Sequence, residues 1–167
     1  MSTAKRILSA LTVVALAPAG VAFAAHAPGD YDGPPRWQAQ TVTITADLVV
    51  ASEQWGDAVE FVVVSPSETQ ISTRPATALD AGVGGEAART FRDGNYLASC
   101  TITLAPGETT GDVVTHELGH CLGLGHDSSA EPSNMHWFRQ DYQSGWSDSV
   151  TDADRAKLDA LYETSTR

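Results

Sequence analysis

Three histidines and a glutamate lie within twelve residues of this chain, "HELGHCLGLGHD", at positions 116 to 127. His116 and His120 are four residues apart, so on a helix they project from one face and could ligate the same metal ion. Glu117, one residue along, would reach a metal-bound water without ligating the metal. Zinc lowers the pKa of such a water to about 7, and a neighbouring carboxylate can then accept its proton. The spacing therefore predicts a zinc site with a general base beside it.

A glycine after the predicted helix would bring in a third ligand. Gly123 lies three residues after His120, where a residue with left-handed backbone would end the helix and reverse the chain. That turn would carry His126 to the metal. Three protein ligands with an open fourth position are typical of a catalytic zinc site. Ordinary surface or core histidines are the alternative, but three of the five histidines in the chain fall in this one pattern.

The extended pattern H-E-x-x-H-x-x-G-x-x-H resembles the signature of the metzincin zinc peptidases, which also have a methionine-containing turn downstream. Met135, in "EPSNMHWF", lies where that Met-turn is expected. Among metzincins the chain is most similar to the matrixins, because "PRWQAQTVTI" resembles their opening Trp and first strand. "ASEQWGDAVEFVVV" resembles their first helix and second strand. Two positions depart from the patterns of related families: Asp127 stands where matrixins usually carry Ser, and Trp137 stands where astacins carry a Tyr.

The resemblance implies an α+β metzincin fold. Its features are a twisted, mixed five-stranded sheet, a Met-turn and two long helices, the zinc helix and a C-terminal helix. It also implies a secreted zinc endopeptidase with one catalytic zinc, held by His116, His120 and His126, and with Glu117 as the general base. An extended protein or peptide substrate would pair with the edge strand near residues 84 to 91. The residue after the cleaved bond would enter a pocket lined by the stretch that follows Met135.

Two other functions remain open at this point. A secreted zinc-binding module without catalysis would need no base, so the presence of Glu117 argues against it. A structural site also tends to have a fourth protein ligand, and the sequence offers no good candidate. An amidase that cleaves peptide cross-links or another small amide is disfavoured by the resemblance alone.

The two cysteines are predicted to pair. Cys121 falls on an apolar stripe of the zinc helix, roughly opposite the face that carries His116 and His120. Cys100 lies in a probable strand, "YLASCTITL", just before this helix. In an oxidising compartment we favour a Cys100–Cys121 disulfide that ties the helix to the sheet. The alternative is a free thiol that blocks the zinc, and the orientation of Cys121 disfavours it.

Residue types, and the Gly, Pro and Ser residues between them, predict eight secondary-structure elements. Strands are expected at about 39–45, 59–65, 69–73, 84–91 and 96–104, and helices at about 46–56, 110–123 and 151–163. Thr151 is the expected N-cap of the last helix, with Asp154 three residues on. Asp127 would hydrogen-bond the Met-turn backbone or cap its own loop, and we favour a structural role. His136 is expected to be a turn residue outside the ligand set.

The N-terminal sequence and the net charge limit where the protein acts and which partners it can bind. Residues 1–24 read as a secretory signal peptide, residues 25–35 as a flexible lead-in, and residues 36–167 as one metallopeptidase domain. Without Lys5 and Arg6 the chain has 8 basic and 21 acidic residues, a formal charge of −13. This charge argues against nucleic acid or anionic membrane as a partner. We expect a secreted monomer without a membrane anchor. Asp and Glu are abundant enough for a calcium ion (Ca²⁺), but no motif indicates one.

Overall fold

A computed structural model describes residues 35–77, 79, 83–92, 95–107, 111–129, 131–136 and 146–163 of the chain. The predicted signal peptide, the lead-in up to residue 34 and Trp137 lie outside these ranges. Within them, no helix is both long enough and apolar enough to cross a membrane.

Five strands form one mixed sheet. They are β1 (Thr41–Ile44), β2 (Glu60–Val63), β3 (Ile71–Pro75), β4 (Gly85–Arg92) and β5 (Tyr96–Leu104). The order across the sheet is β2-β1-β3-β5-β4. Every neighbouring pair is parallel except β4 and β5, which run antiparallel. The predicted mixed five-stranded sheet is confirmed, with β4 at one edge.

Three α-helices accompany the sheet: α1 (Val49–Gln54), α2 (Gly111–Cys121) and α3 (Asp152–Glu163). The predicted first helix is shorter than expected, because it begins as a 3₁₀ turn at Ala46–Leu48 and the chain turns at Gly56, where φ is +76°. The two predicted long helices are α2 and α3. Thr151 caps α3 as expected: its hydroxyl accepts a hydrogen bond from the backbone N–H of Asp154 at 3.1 Å.

The hydrophobic core lies mainly between the sheet and α2. Leu118 and Cys121 of α2 and Leu122 directly after it are fully buried, as the predicted apolar stripe requires. From the strands and α3 the same core takes Val42, Ile44, Ile71, Leu97, Ile102, Leu158 and Leu161. A disulfide joins Cys100 of β5 to Cys121 of α2, with their Cα atoms 5.5 Å apart. The free-thiol alternative is therefore wrong, and the end of α2 is covalently tied to the sheet.

The hydrogen-bonding pattern shows which backbone groups of β4 are open. Gly84 accepts a hydrogen bond from the N–H of Ala105 at 2.8 Å. From there, every second residue of β4 forms a hydrogen-bonded pair with its partner on β5. In such a pair every second residue turns its N–H and C=O away from the partner strand. In β4 these residues are Gly85, Ala87 and Arg89. Their backbone groups point away from β5, to the edge of the sheet, where the Ala87 backbone forms a hydrogen bond with the Glu117 carboxyl.

Candidate metal centre

The three predicted histidines come together at the C-terminal half of α2. The Nε2 atom of His120 lies 3.1 Å from Nε2 of His116 and 3.1 Å from Nε2 of His126. All three candidate ligand atoms fall within 4.8 Å of one another. Tetrahedral zinc with Zn–N bonds of about 2.0–2.1 Å requires ligand nitrogens about 3.3 Å apart. The three imidazoles therefore fit around one zinc ion.

The turn that brings His126 to the other two histidines is a Schellman motif at the end of α2. Gly123 donates its N–H to the carbonyl of His120 at 3.0 Å, and Leu124 donates to the carbonyl of Gly119 at 3.1 Å. Gly123 has φ +106°, which side-chain-bearing residues rarely adopt. A Cβ at this position would also lie 1.9 Å from the carbonyl oxygen of Pro35. Both the turn and the close packing require glycine.

Backbone carbonyls orient two of the imidazoles. Nδ1 of His116 lies 2.5 Å from the carbonyl oxygen of Asn134, and Nδ1 of His120 lies 2.9 Å from that of Leu124. A carbonyl only accepts hydrogen bonds, so each Nδ1 carries the proton and each Nε2 keeps its lone pair. Converging lone pairs are stabilised by a cation between them. This arrangement is the one that a metal ligand requires.

Burial keeps the three histidines neutral. It is the largest cause that lowers the pKa of His116, and it holds the pKa of His120 well below its ordinary value. The pKa of His126 falls to about 4, through burial first and then through the charges of His116 and Arg89. At neutral pH the cluster therefore offers neutral imidazoles, the form that binds a metal.

Glu117 lies between α2 and the open edge of β4. Burial raises the pKa of its carboxyl to about 8, the charge of Glu86 adds to this, and a hydrogen bond with the Ala87 backbone opposes it. A Cβ on Gly85 would lie 2.8 Å from Cγ of Glu117, so the glycine allows the edge strand to approach this side chain. The carboxyl is thus held next to the strand edge, on the residue that follows the first histidine.

The Met-turn packs directly beneath the histidines. Met135 is buried, and a Cβ on Gly119 would lie only 2.5 Å from its sulfur atom. Asp154 of α3 holds this turn from the other side, because its carboxylate accepts hydrogen bonds from the hydroxyl of Ser133 and from the N–H of Asn134. Sequence analysis predicted only the helix-capping role of Asp154. No local signal links it to residues twenty positions earlier.

The side chain of Asp127 makes its contacts within its own loop and to α3. Its carboxylate accepts hydrogen bonds from the N–H and hydroxyl of Ser129 at 2.8 and 3.0 Å and pairs with Lys157 of α3. Partial burial raises its pKa, but these partners outweigh that effect and bring the pKa to about 2. Contact with the Met-turn is made by its backbone N–H, which donates to the carbonyl of Met135 at 2.7 Å. His136 is buried outside the triad, with Nε2 3.0 Å from the carbonyl oxygen of Glu131.

Aromatic side chains fix α2 and flank the site. The indole N–H of Trp37 donates to the carbonyl of Cys121 at 2.9 Å, and that of Trp55 donates to the carbonyl of Thr115 at 3.0 Å. Trp146 lies against His116, with ring centroids 5.3 Å apart. The sequence alone does not separate the roles of the tryptophans. Only the fold distinguishes Trp146, which contacts a candidate ligand, from the two that hold the helix.

Comparison with known families agrees with this geometry. The sequence profile of the matrixins matches residues 30–163. The chain belongs to the matrixin family. As a member, it is a zinc-dependent metalloendopeptidase. None of the curated proteins matches this matrixin at a significant level.

A solved structure supports the same fold. The matrixin resembles high choriolytic enzyme 1, a hatching-enzyme zinc protease from Oryzias latipes (medaka fish), with a TM-score of 0.52 and 14% sequence identity. The match covers 77% of this chain and 94% of the medaka chain. At this identity the likeness shows the fold alone, and that fold is the predicted metzincin one.

Proposed function

We propose that this matrixin is a secreted endopeptidase in which His116, His120 and His126 bind one zinc and Glu117 is the general base. The observation that carries the proposal is the convergence of three Nε2 atoms beside a buried carboxyl at an open strand edge. A bound zinc would supply Lewis acidity toward the peptide carbonyl and toward a water molecule.

Glu117 handles the proton in this proposal. Its carboxylate takes a proton from the attacking water and then delivers it to the nitrogen of the departing amine. Burial raises the pKa of the carboxyl to about 8, which strengthens its affinity for the proton of the water and weakens it as a proton donor. A zinc dication held by the histidines would act in the opposite direction and lower that pKa. More of the carboxyl would then be ionised, the form that accepts a proton, and its protonated form would be the better donor to the amine.

The substrate is proposed to bind as an added strand on β4. Gly85, Ala87 and Arg89 direct their N–H and C=O groups to the open edge, and Glu117 lies beside the first two. Antiparallel pairing is the slightly more stable arrangement. In that direction, substrate residues before the cleaved bond lie toward Arg89, and those after it lie toward and beyond Gly85. The stretch after Met135, with Trp146 against His116, is proposed to line the pocket for the residue after the bond.

Secretion and domain limits are also proposals. Residues 1–24 have the composition of a signal peptide, and the Cys100–Cys121 disulfide is of the kind that persists in oxidising compartments. We assign residues 25–35 to a lead-in and residues 36–167 to a single catalytic domain that acts as a monomer on protein or peptide substrates.

Hydrolysis of casein by the secreted protein, with and without a chelator, tests the proposal. We expect cleavage that stops when zinc is removed and returns when zinc is added back. Binding of one zinc without hydrolysis of casein, gelatin or mixed peptides would favour the non-catalytic zinc-binding module instead.

A further inference from the structure

Arg89 is a partly buried cation on the strand that is proposed to bind substrate. It lies opposite Cys100 in the pair of β4 and β5, and its side chain reaches the end of α2. Its Nη1 donates a long hydrogen bond, 3.4 Å, to the carbonyl oxygen of His120. Within the part of the chain that the structure describes, no carboxylate forms an ion pair with Arg89.

Arg89 carries a partly desolvated charge at the C-terminal end of α2. Burial lowers the pKa of its guanidinium, which means that the charged form is partly desolvated. Its charge also helps to lower the pKa of His120 and of His126, so its field reaches the candidate metal cluster. The carbonyl groups at the end of α2 stabilise this charge. A bound zinc would make the local potential still more positive.

A second arginine lies further along β4. Arg92 is exposed and pairs with Tyr96 of β5. Arg36 pairs with Tyr96 from the other side of β5, and its Nη1 donates to the carbonyl of Leu161 at 3.0 Å, so it does not belong to this edge. Thus two of the ten basic residues of a chain with formal charge −11 lie in the C-terminal half of one strand. At the other end Glu86 lies near Glu117. The strand edge therefore changes from negative to positive along its length.

We infer that Arg89, with Arg92 further along the same strand, forms a subsite for an acidic side chain of the substrate on the N-terminal side of the cleaved bond. The inference rests on the proposed function and on antiparallel pairing with β4. In that pairing, substrate residues before the bond pass the arginines, while the bond itself lies by Glu117. The guanidinium of Arg89 has N–H groups beyond the one on His120, and these can donate to a carboxylate. The subsite selects acidic segments although the protein as a whole is acidic.

Matched peptides test this inference. Each pair differs only by Glu or Gln at one position before the cleaved bond, and the readout is the ratio of kcat/KM within a pair. For the wild type we expect a ratio of about 10 in favour of Glu at the best position, which corresponds to about 1.4 kcal/mol. Arg89→Gln should bring the ratio close to 1, and added salt should reduce the wild-type ratio. Arg74→Gln, an exposed arginine on β3, is the matched control and should keep the full ratio.

The outcomes separate the alternatives. If Arg89 only caps α2, Arg89→Gln lowers kcat/KM for both peptides of a pair equally and the ratio persists, which overturns the inference. A wild-type ratio near 1 at every position overturns it as well. If Arg89→Gln does not fold, Arg92→Gln replaces it, and the ratio should then fall at least twofold. Absence of cleavage of every peptide by zinc-loaded wild type contradicts the proposed function itself, whereas cleavage without a Glu preference contradicts only the subsite.

Discussion

Single residues around the histidines satisfy geometric demands as well as chemical ones. Gly123 combines a left-handed backbone with packing against the carbonyl of Pro35, and His126 depends on the turn that it makes. Gly125, two residues on, has open space around its Cα, and a Cβ there would meet nothing within 4 Å. The two glycines therefore form a matched pair for substitution.

Gly123→Ala should destabilise the zinc-loaded protein by at least about 2 kcal/mol, since strain at positive φ adds to a steric clash. It should also weaken zinc binding, because the turn no longer places His126 correctly. Gly125→Ala should change stability by less than about 0.5 kcal/mol. Urea unfolding and zinc titration measure both effects. Equal behaviour of the two variants would show that the turn at Gly123 does not position the ligand.

The buried carboxyl of Glu117 predicts a pH dependence of the metal-free protein. Its pKa is raised from 4.5 to about 8, so between these values the folded state binds more protons than the unfolded state, and stability falls as pH rises. His126, with its pKa lowered from 6.5 to about 4, acts in the opposite sense, and its effect is complete above pH 6.5. From pH 6.5 to 8 the metal-free wild type should lose about 1.5 kcal/mol, because the slope of about 1.4 kcal/mol per pH unit halves as the pH reaches the folded pKa.

Glu117→Gln is the control for this pH effect. Its stability should stay nearly constant from pH 6.5 to 8, because the amide does not titrate. Chemical denaturation of both metal-free proteins across this range gives the comparison. Parallel pH profiles for the two proteins would mean that Glu117 has an ordinary pKa.

At the scale of elements, α3 supports the metal centre through the Met-turn. Four donors converge on the carboxylate of Asp154: the hydroxyl of Ser133, the N–H of Asn134, and the N–H and hydroxyl of Thr151. Asn134 in turn accepts the hydrogen bond from His116. One carboxylate thereby links the start of the last helix to a candidate ligand.

Asp154→Asn should destabilise the protein by about 3 kcal/mol, because the new NH₂ group faces donors and leaves buried hydrogen bonds unmade. Asp152→Asn, at an exposed position of the same helix turn, should cost less than about 1 kcal/mol although it removes an ion pair with Arg155. Urea unfolding of the two zinc-loaded variants measures both losses of stability. If Asp154→Asn lowers the free energy of unfolding no more than Asp152→Asn does, then α3 does not support the site through this carboxylate.

The sequence predicts those parts of the fold and of the site that depend on residues close together along the chain. His116, His120 and Gly123 are placed by one helix and its end, so their spacing alone indicates where they meet. The strands are visible as local runs, yet the position of β5 between β3 and β4 depends on pairing across the whole chain. The contact of Asp154 with Ser133 and that of Trp146 with His116 are equally long-range. No spacing pattern in the sequence predicts contacts between residues so far apart along the chain.

For the whole molecule, metal binding and folding should be separable. The core and the Cys100–Cys121 disulfide lie on the side of α2 away from the histidines, so the fold does not depend on zinc alone. Zinc binding requires neutral imidazoles, and protons compete with the metal as pH falls. Activity should therefore decline on the acid side before the structure is lost, and added zinc should partly restore it.

Peptide cleavage and circular dichroism, recorded across pH at two zinc concentrations, test this separation. The acid limb of the activity profile should move to lower pH at the higher zinc concentration while the dichroism stays unchanged. Simultaneous loss of activity and structure, with no zinc-dependent shift, would assign zinc chiefly to folding.

The central claim is that three histidines hold zinc while Glu117 performs the proton transfer, and one comparison tests it most directly. Zinc content and peptide turnover are measured on the same preparations of wild type and Glu117→Gln. Glu117 stands outside the histidine cluster, so the variant should retain one zinc per chain as the wild type does. Its turnover should fall by a factor of at least about 100. Turnover within a few-fold of wild type, or a zinc content that disappears with the carboxylate, would contradict the account.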